Sequence, residues 1–344
     1  MIRTVDTRVD VLRNGAVLTK LRPDGAPRIR MRASAAIKCS LSGRFAPDDR
    51  VDWLRDELRP LLILDGVEHP LGIYAPATIT PSTANGASRV SVEAYDRCWR
   101  VQATCSEQLI HLTAGTNYID AVKSLLARAG IALVLATPTA ETLTADREDW
   151  SIGQDYLTVV NALLSEINYK PLYFNAAGFA VLEPRRVLDA AYLTRTYDAG
   201  NSRCLLREDL TARLDLYNAP NVYICVSSNP DGTGPMVATA ENNNPASPLS
   251  IVRRGRRIAK TIKVGRIASQ AALEEYARLQ CMDGMLLGAT ANISTGIMPG
   301  CSPGDIVALV HPEMEGLCRE TEWQINLAPG GTMTHKLEME VLQI

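Results

Sequence analysis

The sequence predicts an α+β fold that is predominantly β. Three observations carry that reading. Over roughly the first hundred residues, apolar and polar side chains alternate with the period of half-buried strands. The middle of the chain carries two apolar stripes at helical spacing. From about residue 204 strand-like runs return. At roughly 150 residues per domain, 344 residues correspond to two or three domains, enough to bury a core without disulfide or metal staples. Aromatic residues make up only 5% of the chain, so Leu, Val, Ile and Ala must build that core.

Near the N-terminus Val5, Val9 and Val11 alternate with Asp6, Arg8 and Asp10, and Arg28 to Arg32 (RIRMR) alternates too. The apolar run Leu61 to Leu64 stops at Asp65-Gly66, a hairpin-turn dipeptide, and a strand resumes through Val67 and Leu71 to Tyr74. Val90, Val92 and Ala94 alternate with Ser91 and Glu93. Several short strands between turns predict a barrel or sandwich. The composition shifts near residue 107. Thr116 or Asn117 caps a helix through Tyr118, Ile119, Val122, Leu125 and Leu126, which Gly130 ends, and Ile131 to Ala136 reads as a strand. A second helix starts near Gln154 with a core-facing stripe of Tyr156, Leu157, Val160, Leu163, Leu164 and Ile167. A hairpin follows, Leu172 to Phe174 and Phe179 to Leu182, around a turn at Asn175 to Gly178.

Beyond residue 204, Val222 to Val226 is an apolar strand, and Ser227 to Pro235 and Ala240 to Pro248 are turn-rich loops. Ile258 to Val264 is a further strand. Ser269 caps a helix over 270–282 with Leu273, Tyr276 and Ala277 on one face. Four strands close the chain: Leu286 to Ser294, Ile306 to Val310, Glu320 to Leu327 and Thr334 to Leu342. In the last, Leu337, Met339 and Val341 alternate with Lys336, Glu338 and Glu340.

Charge and motifs exclude more than they assign. Lys and Arg total 36 against 38 Asp and Glu, a formal charge of −2, which argues against a dedicated nucleic-acid binder. No apolar run approaches the roughly 20 residues of a membrane span, and the first residues carry no apolar signal-peptide core, so folding in the cytoplasm is expected. The eight cysteines form no C-x-x-C pair and read as free thiols, several in apolar runs. The four histidines stand apart, no metal site is expected, and no phosphate-binding loop is present. Asn229 to Gly234 (NPDGTG) lacks the alternating carboxylates of a calcium loop and reads as a turn. Gly300-Cys301-Ser302-Pro303-Gly304 fits the G-x-S-x-G pattern of serine hydrolases. Pro303, however, cannot supply the backbone N–H that the oxyanion hole takes from the residue after the serine, and a strand rather than a helix follows. A Pro-Gly turn is expected, and an esterase built on Ser302 stays as an alternative. The densest charge run is Arg253, Arg254, Arg256, Arg257 and Lys260, with Lys263 and Arg266 beyond. It reads either as a solvated strand edge, where cations discourage edge pairing, or as a contact patch for an acidic protein partner.

Four stretches carry a family resemblance. One is Ile37 to Pro76, including Lys38 to Gly43, Val51-Asp52-Trp53-Leu54, Arg59-Pro60 and Leu64 to Tyr74 (LDGVEHPLGIY). The next is Asp155 to Pro184, and the next Leu216 to Val222 (LYNAPNV) running to Ser228-Asn229-Pro230. The last is Pro299-Gly300 through Gly304-Asp305 to Gly330-Gly331-Thr332-Met333-Thr334. In order and spacing they resemble the tail-hub proteins of bacteriophages and phage-derived contractile particles, a group related to the phage late control protein D and baseplate-hub fold. The resemblance implies two tube-protein-like β-barrel domains with a middle α+β domain. The corresponding division is residues 1–106, 107–203 and 204–344, the last discontinuous, with part of 228–285 packing on the middle domain. It also implies a homotrimeric ring that adapts a six-fold tail tube to a three-fold spike. Its partners would be further copies of itself, a tail tube or tube-initiator protein, a central spike protein, and tape-measure and baseplate wedge proteins. Neither catalysis nor a cofactor is implied. The expected place is the bacterial cytoplasm during assembly, then a virion tail or a released particle. A receptor- or glycan-binding tail component is the alternative, with Trp53, Trp99, Trp150 and Trp323 as stacking surfaces.

Overall fold

The computed structural model describes residues 4–84, 86–200, 206, 211–214, 219–227, 235–286 and 289–339. Its N-terminal part contains β1 (Val5–Arg13), β2 (Ala16–Leu21), β3 (Arg28–Arg32), β4 (Cys39–Phe45), β5 (Glu57–Leu64), β6 (Val67–Pro70), β7 (Tyr74–Ala84) and β8 (Ala87–Asp96), followed by the helix α1 (Arg97–Ala103). The strands pair antiparallel in the order β3-β4-β8-β7-β5-β1-β2, with β6 returning along β5. Asn14-Gly15 and Asp65-Gly66 make the β1–β2 and β5–β6 turns with positive φ at both positions, as two-residue hairpins require. The sheet then closes on itself. Beyond β2, Asp24 N donates to Arg44 O (2.8 Å) and Ala46 N to Arg22 O (3.0 Å), around a Pro23–Phe45 bridge. Val9, Val11, Leu41, Phe45, Leu58, Leu62 and Val92 fill the barrel. In β3 the three arginines point out, and Ile29 and Met31 point in, as the RIRMR alternation requires.

The middle part holds α2 (Tyr118–Arg128), β9 (Val134–Ala136), α3 (Tyr156–Glu166), β10 (Tyr173–Phe174) and β11 (Ala180–Leu182). Asn117 and Asp155 cap the two helices through their side chains. The predicted stripe on α3 is buried throughout, against α2 and the small sheet β10-β11-β9. The strand expected from Ile131 begins only at Val134. Gly130 turns left-handed, Ile131 N bonds back to Leu126 O (2.8 Å) and Gly130 N to Ala127 O (3.0 Å), so Ile131 is spent on closing the helix. A buried ion pair braces this part. Arg147 Nη1 and Nη2 meet Glu166 Oε2 and Oε1 at 2.9 and 3.0 Å, and Tyr118 OH donates to the same carboxylate at 2.7 Å.

The rest of the chain is β12 (Leu193–Asp198), β13 (Thr211–Leu214), β14 (Val222–Ser227), β15 (Met236–Glu241), α4 (Ile251–Arg254), β16 (Ala259–Val264), α5 (Gln270–Leu286), β17 (Ala289–Gly296), β18 (Ile306–His311), β19 (Met314–Asn326) and β20 (Thr332–Met339). A second strand set runs β13-β17-β20-β19-β18-β12 around Tyr197, Ala291, Ile293, Val307, Leu309 and Leu337. Its strand β12 lies ahead of residue 204 and pairs in parallel with β18. Sequence period hides it because the positions facing the core are Arg195 and Tyr197, not aliphatics. Between β13 and β17 sits a separate unit, a sheet β15-β14-β16 with α5 packed on one face. This unit touches the middle part through Ala268 N to Glu166 O (3.2 Å), Asn168 Nδ2 to Ala272 O (2.8 Å) and Arg266 with Asp149 (3.3 Å). The Asn229 to Gly234 turn, Cys204 and Val341 lie outside the described residues.

One strand joins the two β-units. The first half of β19 pairs with β18 (Cys318 opposite Val307), its second half pairs with β3 (Trp323 opposite Met31, Ile325 opposite Ile29), and β20 follows it on the other edge. The result is a single sheet of 14 strands. A bulge between Glu320 and Glu322 shifts the inward positions from Cys318 and Glu320 to Trp323 and Ile325. One extra residue thus keeps the same face inward while the strand changes partners.

The contact between α5 and β14 yields a test. A Cβ on Gly284 of α5 would lie 1.8 Å from Tyr223 Oη and 2.5 Å from its Cζ. Tyr223 is itself buried, and its hydroxyl has no partner among the described residues. Gly284→Ala is expected to cost about 1–3 kcal/mol by overpacking, read as a lower urea midpoint. Adding Tyr223→Phe should recover part of it. An unchanged midpoint in Gly284→Ala would mean that helix and sheet do not meet this way.

Candidate functional site

The alternation of β20 that places Leu337 and Met339 inside also places Met333 and His335 inside. His335 is 2% exposed, Glu320 on β19 is 0% and Thr295 on β17 is 1%. Each of these strands passes from the second apolar core to the first across its polar residue. On β20 the order is Leu337, His335, Met333. On β19 it is Cys318, Glu320, Trp323. Along β17 and just past it, the order is Ile293, Thr295, Ile297. A polar layer therefore separates the two cores, and Met298 packs against both.

The layer is hydrogen-bonded end to end. The Thr295 hydroxyl donates to Gly296 O (2.8 Å), so it accepts from His335 Nε2 (2.8 Å). On the other side of the ring, His335 Nδ1 meets Glu320 Oε1 and lies 3.2 Å from Tyr197 OH, which donates to Glu320 Oε1 at 3.1 Å. Burial, reinforced by the Glu320 charge, holds the Tyr197 phenol far above its ordinary range, so it stays a donor. Threonine, histidine and glutamate in a row have the outline of a nucleophile, base and acid. Here the hydroxyl is sealed between two cores and already donates to a carbonyl. Glu320 Oε2 and Trp323 Nε1 are buried without a partner among the described residues.

Arg195, two residues before Tyr197 on the same face of β12, extends the network to the G-x-S-x-G turn. It donates to Gly300 O (2.6 Å) and Asp305 Oδ2 (3.0 Å) and touches Cys301 Sγ. Burial pushes the Cys301 thiol and the Asp305 carboxyl up. Ser302 N donates to Asp305 Oδ2 (2.9 Å), Gly300 and Gly304 take positive φ, and β18 follows directly. Ser302 thus sits in a Pro-Gly turn leading into a strand, without the strand-to-helix geometry of a nucleophile elbow.

The basic run is only partly a strand edge. Arg253 and Arg254 form the helical turn α4, which Ser250 caps and left-handed Gly255 ends. Arg254 donates to Ala219 O (2.6 Å), and Arg257 forks onto Glu241 at 2.5 and 3.0 Å. Arg256 supplies a carbonyl to Asn221 Nδ2 (3.0 Å), and Lys260 stands exposed on β16. Two of the four candidate stacking residues, Trp150 and Trp323, are buried in cores, and Trp53 packs against the first barrel. Seven cysteines are free thiols, and among the described residues no group of side chains is placed to hold a metal ion. Sequence reading missed Tyr197, Thr295, Glu320 and His335. For His335 a signal existed, since it shares the parity of Leu337 and Met339.

Two tests follow from these buried groups. His335→Leu strands the Glu320 carboxylate in the interior and is expected to cost about 3–5 kcal/mol. The combined Tyr197→Phe, Glu320→Leu, His335→Leu variant leaves no orphaned charge and should unfold closer to the parent. Purely additive urea midpoints would show that the layer is not one unit. The second test concerns Asp96, which caps α1 and accepts from Cys39 N (2.7 Å) and Cys98 N (2.9 Å). Desolvation outweighs these bonds and raises its carboxyl from 3.8 to about 6. The folded state therefore binds the proton more tightly than the unfolded chain, and stability should fall as pH rises from about 4 to about 6. Asp96→Asn loses one hydrogen bond at every pH but should reduce this slope, to which the raised Asp305 and Glu338 carboxyls also contribute, read from denaturation midpoints across that window. An equal slope in both proteins would assign the fall to another group.

No protein-family model matches the chain, and no curated protein matches it. Solved structures do. The tail protein from Neisseria meningitidis MC58 superimposes with a TM-score of 0.69 at 16% identity, covering 98% of each chain. The 43 kDa tail protein of prophage MuSo2 from Shewanella oneidensis gives 0.66 at 9% identity, over 97% of this chain and 98% of that one. An E. coli protein described as a component of the type VI secretion system, with structural similarity to T4 bacteriophage tail proteins gp27 and gp5, gives 0.57 at 12% identity, over 96% of this chain and 77% of that one. The fold of this chain is that of phage tail proteins, shared with a component of the type VI secretion system.

Proposed function

We propose that this chain is a structural hub of a phage tail or a phage-tail-like contractile particle. One observation carries the reading: two β-units, residues 1–106 and the 204–344 part extended by β12, are fused through β19 into one sheet. That arrangement occurs in a fold matching tail proteins over nearly the whole chain. A chain with two barrels in three copies presents six, which would match a six-fold tail tube to a three-fold spike. The middle part, residues 107–203, would buttress the ring. In this reading the partners are two further copies of the chain, a tail tube or tube-initiator protein and a central spike protein, with tape-measure and baseplate wedge proteins beyond. The similarity of the E. coli protein to the tail proteins gp27 and gp5 supports a place in a tail assembly. The role is mechanical, and Ser302 takes no part in chemistry. Assembly would take place in the bacterial cytoplasm; no described helix is long and apolar enough to cross a membrane.

The test is oligomeric state with and without partners. Mass photometry of the purified protein should show a trimer, either alone or after addition of the tube and spike proteins of the same particle. Negative-stain images should then show a ring. A monomer that never joins either partner would overturn the reading.

A further inference from the structure

A cavity of about 390 Å³ lies where the three parts of the chain meet. The N-terminal part contributes Lys38, the middle part Lys170, Arg185 and Arg186, and the C-terminal strands Arg319 and Lys336. Two carboxylates, Glu322 and Glu338, share the lining. Behind the wall, each carboxylate serves two cations. Asp283 pairs with Arg185 and with Arg319 (2.6 Å), and Glu183 with Lys170 (2.8 Å) and Arg186 (3.0 Å). Glu322 is divided between Lys336 (3.7 Å) and Arg30 (3.0 Å). The lining itself holds six cations and two carboxylates, with Asp283, Glu183, Asp96 and Asp305 behind it as counter-charges. Burial also raises the Glu338 carboxyl, which weakens its hold on a negative charge.

Lys38 is the least compensated member. It is 5% exposed, and its ammonium donates to Ala33 O (2.9 Å) and Ala35 O (2.6 Å). Among the described residues no carboxylate is within salt-bridge distance of it, and two carbonyls take two of its three N–H groups. Desolvation pulls its pKa down by more than the charge of nearby Asp96 raises it. Guanidinium and ammonium donors gathered around one roomy cavity are the chemistry that recognises oxyanions.

We propose that this cavity binds a small multivalent oxyanion of the phosphate or carboxylate class, which bridges the three parts of the chain. The site is independent of the hub reading. Its size suits a ligand of several heavy atoms, and its donors come from all three parts, so binding should stiffen the junction as a whole.

The test is calorimetric titration of the full chain with pyrophosphate and with citrate, together with thermal unfolding in each. Sodium chloride at matched ionic strength is the control. Saturable binding of one or both is expected, with a raised unfolding temperature. Pyrophosphate alone would assign the phosphate class, citrate alone the carboxylate class, and both the shared oxyanion chemistry. Lys38→Met should weaken binding at least about tenfold. Should that variant fail to fold, Arg186→Gln at the rim tests the same site. Arg256→Gln, in the exposed basic run, should bind as the parent does. No saturable heat with either anion, or equal stabilisation by sodium chloride, would overturn the proposal, as would unchanged affinity in both Lys38→Met and Arg186→Gln.

Discussion

The strands β19 and β20 must serve two hydrophobic cores at once. Near one end they contribute Cys318, Leu337 and Met339 to the second core, and near the other Trp323, Ile325 and Met333 to the first. Two consequences follow from that double duty. The strand has to change partners without turning its apolar face outward, which the bulge at Glu320–Glu322 achieves. The layer where one core ends and the other begins is also free to be polar, because neither core needs an aliphatic there. Glu320, His335, Thr295 and Tyr197 occupy that layer and satisfy most of one another's hydrogen bonds. A buried charged pair is a weak source of stability. It does penalise other registers, since slipping either strand by one residue would point the carboxylate or the imidazole outward and leave its partner unpaired.

Charged groups also hold the other junctions. Burial works against the Glu57 carboxylate, yet Arg97 (2.7 and 3.0 Å) and Arg100 (3.1 Å) keep it below its ordinary range. Arg97 then donates to Gly178 O (2.9 Å) in the β10–β11 turn, so one guanidinium clamps the first barrel to the middle part. Gly178 has a φ of 84°, and a Cβ there would lie 2.6 Å from Ile73 Cδ1, so only glycine lets the turn approach so closely. Asp283 plays the same part between α5, Arg185 and Arg319. Apolar clusters build the units and join the two β-units through β19 and β20, and arginine-carboxylate pairs add fixed contacts at the other junctions. Such pairs constrain direction as well as distance, which suits a protein whose proposed task is to hold a fixed shape.

Features built from neighbouring residues were legible in the sequence. The stripe on α3, the cap at Asn117, the Asp65-Gly66 turn and the strand pattern of RIRMR each depend on a few adjacent side chains. Where the pattern misleads, capping geometry or a polar core residue has intervened. Ile131 closes a helix instead of starting a strand, Arg253 and Arg254 turn helically between Ser250 and Gly255, and β12 carries Arg195 and Tyr197 where an aliphatic pattern was sought.

By itself the sequence determined a predominantly β chain with a helical middle, its caps and most of its turns, because those follow from local backbone preference and the period of side-chain burial. Only the tertiary structure decided that Arg28–Arg32 pairs with the far end of β19 and that the two β-units form one sheet. It also brought four polar side chains together between two cores. Alternation tells which face of a strand is buried and is silent on which strand lies beside it. The choice of partner rests on contacts between residues about three hundred positions apart, such as Trp323 with Met31.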